Sequence, residues 1–104
     1  MNKMKRKPVH PGKIIQEDYL KPLAITITEM ASILGVSRKT LSKITNEKGA
    51  ITPDMSLRLA RAFNTTPELW MNLQKNYDLW QAEHISKDWQ RVKPIPVQQL
   101  HANI

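Results

Sequence analysis

TITEMASILGVSRKTLSKITN, residues 26–46, reads as two short helices joined by a tight turn. Thr26 suits an N-cap, and Glu29 three residues later completes a capping box. Ile25 and Met30 fall at the positions of a hydrophobic staple. Ile27, Met30, Ala31 and Leu34 keep the i, i+3, i+4, i+7 spacing of one buried helix face. Gly35 supplies the left-handed residue that ends the first helix, and Ser37 caps the second. Val36 and Leu41 repeat the staple, and Leu41 and Ile44 face inward. Arg38, Lys39, Ser42 and Lys43 are left facing outward. This is the pattern of a helix-turn-helix, with small Ala31 where the two helices cross. The competing reading is a plain helical hairpin whose outward charges are only solvated. The small polar and basic residues that open the second helix favour a helix that reads a DNA groove.

The flanking sequence adds three more helices. Pro11 suits the first turn of a helix running to about Tyr19 or Leu20, with Ile14, Ile15 and Tyr19 inward and Lys21-Pro22 as its stop. Thr52-Pro53-Asp54 opens another, with Met55, Leu59, Ala60 and Phe63 as the buried stripe and Asn64 at its end. Thr66-Pro67-Glu68 repeats that opening. The helix after it is expected to run to about Glu83, with Leu69, Leu73, Tyr77 and Trp80 on one face and Trp70 beside them. The expectation is an all-α, five-helix domain over residues 10–84. A flexible basic arm (1–9) precedes it, and a tail (85–104) made irregular by Pro94 and Pro96 follows.

At 104 residues the chain is one domain, long enough to bury a core without staples. It has no cysteine, so disulfides and Cys-based zinc sites are excluded, which fits a cytoplasmic protein. No apolar run approaches the roughly 20 residues of a membrane span. The net charge of +7 is uneven. Lys3, Lys5, Arg6, Lys7 and Lys13 precede any acid, and Arg38, Lys39, Lys43 and Lys48 face only Glu47. Positive charge therefore gathers on the arm and the second helix of the motif, where phosphate attraction would help.

An enzyme is poorly supported, and no cofactor is implied. There is no cysteine nucleophile and no Gly-rich phosphate loop. His10, His84 and His101 match no metal spacing and are expected at the surface. Glu17 and Asp18 are adjacent, so on a helix they diverge by about 100°. Trp70 is expected in the core. Trp80, ten residues on, reaches beyond the bundle as an interface candidate, and Trp89 is either loosely packed or an anchor for a partner.

His10-Pro11-Gly12, LGVSRKTLSKITN at 34–46, ITPDMSLRLA at 51–60 and PELWMNLQKNYDLW at 67–80 carry a resemblance over about residues 9–83. They resemble the HigA antitoxin family of lambda-repressor-like DNA-binding proteins. The central motif is shared by many repressors, whereas its pairing with the other three segments is specific. The resemblance implies a homodimer on a palindromic operator. It also implies a complex that neutralises a RelE-like, mRNA-cleaving toxin of the HigB type. Many related repressors carry Gln at the position of Ile27, where it contacts the DNA backbone. Here that contact would pass to Thr26, Thr28 or backbone N–H groups. The DNA contacts expected are Thr26, Thr28, Ser37, Arg38, Lys39, Thr40, Ser42, Lys43 and Asn46. The dimer contacts expected are Leu79 and Trp80. Toxins of this class are usually basic and so is this chain, so toxin binding would have to be local, through Glu17, Asp18, Glu83 or apolar surface. A stand-alone repressor without a toxin is the alternative.

Overall fold

Each helix begins where a side chain takes up the free backbone N–H groups of its first turn. In the computed structural model, which describes residues 6–96, the caps are His10, Thr26, Ser37, Thr52 and Thr66. Helix α1 (Pro11–Ile14) continues without a break into π-helical turns (Ile15–Leu20). Then come α2 (Ile27–Leu34), α3 (Arg38–Thr45), α4 (Pro53–Phe63) and α5 (Pro67–Ile85). A 3-10 turn (Asp88–Arg91) follows, so the described part of the tail is not wholly irregular. Among the described residues there is no strand, and no helix is long and apolar enough to cross a membrane. The capping box at Thr26 and Glu29 forms as expected, with bonds of 2.9 and 3.1 Å. Lys3, Lys5 and His101 lie outside the described residues.

The helix ends are where local reading falls short. Lys21 does not leave the helical region ahead of Pro22; it stays right-handed at φ −66°, ψ −52°. The stop comes three residues later, at Ala24, which takes a left-handed φ of 53°. Ile25 N–H donates to the Leu20 carbonyl (2.9 Å) and Ala24 N–H to that of Lys21 (3.2 Å). That is the Schellman pairing, which takes up carbonyls left free at the helix end. The same pairing closes α2 at Gly35 (φ 71°) and α3 at Glu47 (φ 62°). Asn64 (φ 56°) ends α4 in the same conformation.

The core is built from Ile15, Leu20, Met30, Ala31, Leu34, Leu41, Ile44, Ile51, Met55, Leu59 and Trp70. On α5 the buried line is rotated from the expected one: Trp70, Gln74 and Tyr77 are buried, while Leu69 is 42% exposed. Trp70 decides this. Its ring lies against Tyr19 and Phe63 (6.2 and 5.9 Å between centroids), and its Nε1–H donates to Thr65 Oγ1 at 2.8 Å. Gln74 is the polar member of the line. Its Oε1 accepts from Ile51 N–H (2.8 Å) and its Nε2 donates to Asp78 (2.9 Å), tying the α3–α4 loop to α5.

His10 is buried at 3% exposure, contrary to the expected surface position. Its Nδ1 accepts from Gly12 N–H at 2.9 Å, and its ring meets Tyr77 edge-on at 4.7 Å. The segment His10-Pro11-Gly12 thus acts as a joint, with a cap that packs on α5, a proline at N1, and a glycine pressed against the end of α3.

Candidate nucleic-acid interface

The chain places the face of α3 by locking its opposite side. Leu41 and Ile44 are buried at 0 and 3% exposure. Arg38, Lys39, Thr40, Lys43 and Asn46 are consequently exposed, and Ser42 is half-buried. Thr26 and Thr28, in the first turn of α2, are exposed as well. Among the described residues, the ion pairs are Lys21–Glu17, Arg58–Asp54 and Arg91–Asp88. None of them neutralises the cations of α3, which remain available to phosphate.

Hydrogen bonds order this face. Arg38 Nε donates to Thr28 Oγ1 at 3.1 Å, across the turn. Ser37 Oγ accepts from Thr40 N–H (3.0 Å) and donates to Thr40 Oγ1 (2.9 Å). The Ser37 proton is therefore already engaged, and a bond to phosphate would require that hydroxyl to rotate. Asn46 donates weakly to Ser42 Oγ at 3.4 Å. Beside the motif, bonds from Thr26, backbone first, hold the Glu29 carboxyl below its usual range, so the cap stays ionised.

One organising residue was not visible in the sequence. Arg58 on α4 donates from Nη1 to the carbonyls of Leu34 (2.8 Å) and Gly35 (3.2 Å), and its Nε meets Asp54 at 2.7 Å. It braces the turn between α2 and α3. The only local signal is Asp54 four residues earlier, the spacing of a helical ion pair, which says nothing about the turn.

The remaining candidates separate in space. Leu79 is 57% exposed on a groove of about 500 Å³ lined also by Ala50, Ile51, Met71, Lys75 and Ala82. Trp80 points elsewhere: it is half-buried and stacks on His84 at 3.9 Å. Its Nε1–H is buried with no partner among the described residues. Lys7 from the arm lies over this side, 5.3 Å from the Tyr77 ring and 5.8 Å from that of Trp80. Glu17 and Asp18 are exposed near the Tyr19 end of the first helix, which packs towards Trp70. Glu83 sits beyond Tyr77, which packs at the His10 end. The three carboxylates therefore lie at opposite ends of the α1–α5 pair and form no single patch. Trp89 is 43% exposed in the 3-10 turn.

The helix-turn-helix family matches residues 17–70. An uncharacterized HTH-type transcriptional regulator of Haemophilus influenzae is 49% identical, over 78% of this chain and 76% of its own. Antitoxin HigA-1 of Vibrio cholerae is 36% identical over 91% of this chain and 90% of its own. Among solved structures, the antitoxin HigA of Pseudomonas aeruginosa with the higBA promoter superposes with a TM-score of 0.78. It is 35% identical, over 86% of this chain and 97% of that one.

Proposed function

The chain belongs to the HigA-like helix-turn-helix family of DNA-binding regulators, and from that premise we propose that it is the antitoxin of a type II toxin–antitoxin pair. In this reading it works in the cytoplasm and joins the nucleoid when bound to its operator. As a homodimer it represses its own operon and neutralises a HigB-type, RelE-like mRNA-cleaving toxin. The observation that carries the DNA half is the face of α3, which is anchored from behind by the buried Leu41 and Ile44 and whose cations pair with no carboxylate among the described residues.

The mechanism follows from that face. The N-terminal turn of α3 enters the major groove with Arg38 and Lys39 foremost and Thr40, Ser42, Lys43 and Asn46 alongside. Thr26, Thr28 and Ser37 meet the flanking phosphates. One recognition helix spans too few base pairs for useful selectivity, so two-fold pairing is expected. The groove beside Leu79 is the proposed dimer contact, and Trp80, which faces away from it, is the second candidate. The toxin contact is assigned to two separate places, Glu17 with Asp18 at one end of the α1–α5 pair and Glu83 at the other, because the overall charge of +7 disfavours a basic partner elsewhere.

The test of the DNA half is a mobility-shift assay on the chain's own upstream region. The double variant Arg38→Ala/Lys39→Ala should lose binding while keeping its helicity, and unchanged binding would sink the assignment. The toxin half is tested by co-purification with the product of the adjacent open reading frame. Absence of such a partner favours the stand-alone repressor, a reading that the naming of the Haemophilus relative as a transcriptional regulator also supports.

A further inference from the structure

We propose that Thr28 is a positioning residue that aims Arg38 at a guanine, so that this pair reads one G·C pair in each half-site. The inference deepens the operator-binding reading above and rests on it.

The two residues belong to different helices. Arg38 is the first residue of α3, and its Nε donates to the Thr28 hydroxyl at 3.1 Å. Both ends of this bond are anchored. Thr28 sits in the first turn of α2, which is held by the reciprocal bonds of Thr26 and Glu29. The start of α3 is fixed by Ser37 on Thr40 N–H at 3.0 Å. An arginine so braced has already lost much of the freedom that a free side chain would lose on binding.

The brace also selects how the guanidinium points. With Nε engaged, the two Nη groups remain as a parallel pair of donors at the tip. Such a pair matches the two acceptors, O6 and N7, on the major-groove edge of guanine. Adenine presents a donor where guanine presents O6, so the same fork is opposed there. The Thr28 hydroxyl keeps its own proton, which no acceptor among the described residues takes, and can give it to a phosphate oxygen. The next residue, Lys39, has no equivalent brace among the described residues and a single flexible ammonium, which suits phosphate rather than a base edge.

The probe is a duplex covering the chain's own upstream operator, in which each guanine is replaced in turn by 7-deazaguanine, which lacks the N7 acceptor. One guanine per half-site should be sensitive, costing the wild type roughly tenfold or more in affinity. That sensitivity should vanish in Arg38→Ala, shrink in Thr28→Val, and return in Thr28→Ser, which restores the hydroxyl. The proposal is overturned if no guanine is sensitive, if Arg38→Ala keeps the sensitivity, or if Thr28→Val retains it in full. A wild type that binds the unmodified duplex no better than random DNA refutes the operator reading itself, a result distinct from all three.

Discussion

Gly12 lies so close to the carbonyl group of Ile44 that a methyl group on it would overlap the Ile44 oxygen. The start of α1 is thus pressed against the end of α3, and His10, two residues away, packs on α5. Glycine is required here for close approach rather than for a turn. Gly12→Ala should force the two helices apart and cost about 1–3 kcal/mol or more. Denaturant unfolding measures the loss. A variant as stable as the wild type would show that the joint can move without cost.

Ala24 carries a left-handed φ of 53° without being glycine. That conformation costs an L-residue roughly 1–2 kcal/mol, partly offset by the extra chain entropy that glycine loses on folding. Ala24→Gly should therefore stabilise the fold by up to about 1 kcal/mol, seen as a higher Tm. A lowered Tm would show that the Ala24 methyl contributes packing that outweighs the strain.

His10 titrates against its own cap. Its Nδ1 accepts from Gly12 N–H, so a proton on that atom breaks the bond. Burial, the largest influence, holds its pKa below the ordinary 6.5. Lys7 acts in the same direction, while Glu47, Asp78 and the Gly49 backbone oppose it. A base with a depressed pKa stabilises the fold fully above the unfolded value, and that stability falls as pH drops below 6.5. His10→Asn keeps a cap without an imidazole. It should flatten stability between about pH 7 and 5 relative to the wild type. Parallel pH profiles for the two proteins would exclude His10 as the source.

Gln74 spans 23 residues to take up the N–H of buried Ile51. Replacing it by Leu leaves that donor unpaired, at a cost of about 1–3 kcal/mol. Amide exchange reads the change directly: the Ile51 amide should lose protection before the rest of the core does. Retained protection would point to another acceptor.

The position of Lys7 divides the charges of the N-terminal arm. With its ammonium over Tyr77 and Trp80, Lys7 is engaged by α5, leaving Lys3, Lys5 and Arg6 for phosphates. Deleting residues 2–7 should weaken operator binding and make the slope of log affinity against log salt shallower by about two to three units. Binding to the proposed toxin should survive. An unaltered slope with lost toxin affinity would reassign the arm to the toxin.

What the sequence by itself determined lies within one helical turn of each signal. The caps at Thr26, Ser37, Thr52 and Thr66, the glycine end of α2, the inward Leu41 and Ile44 and the outward basic face all depend on residues three or four apart. Backbone geometry makes such residues neighbours whatever surrounds them. Only the tertiary structure decided the rest, because it depends on groups brought together from far apart in the chain. His10 became a buried cap because Tyr77 covers it, and the buried line of α5 turned because Trp70 lies against Tyr19 and Phe63. Arg58 found the free carbonyls at the end of α2, and Arg38 found Thr28 across the turn. Each of these contacts forms only once the helices have docked, so no local pattern could have encoded it.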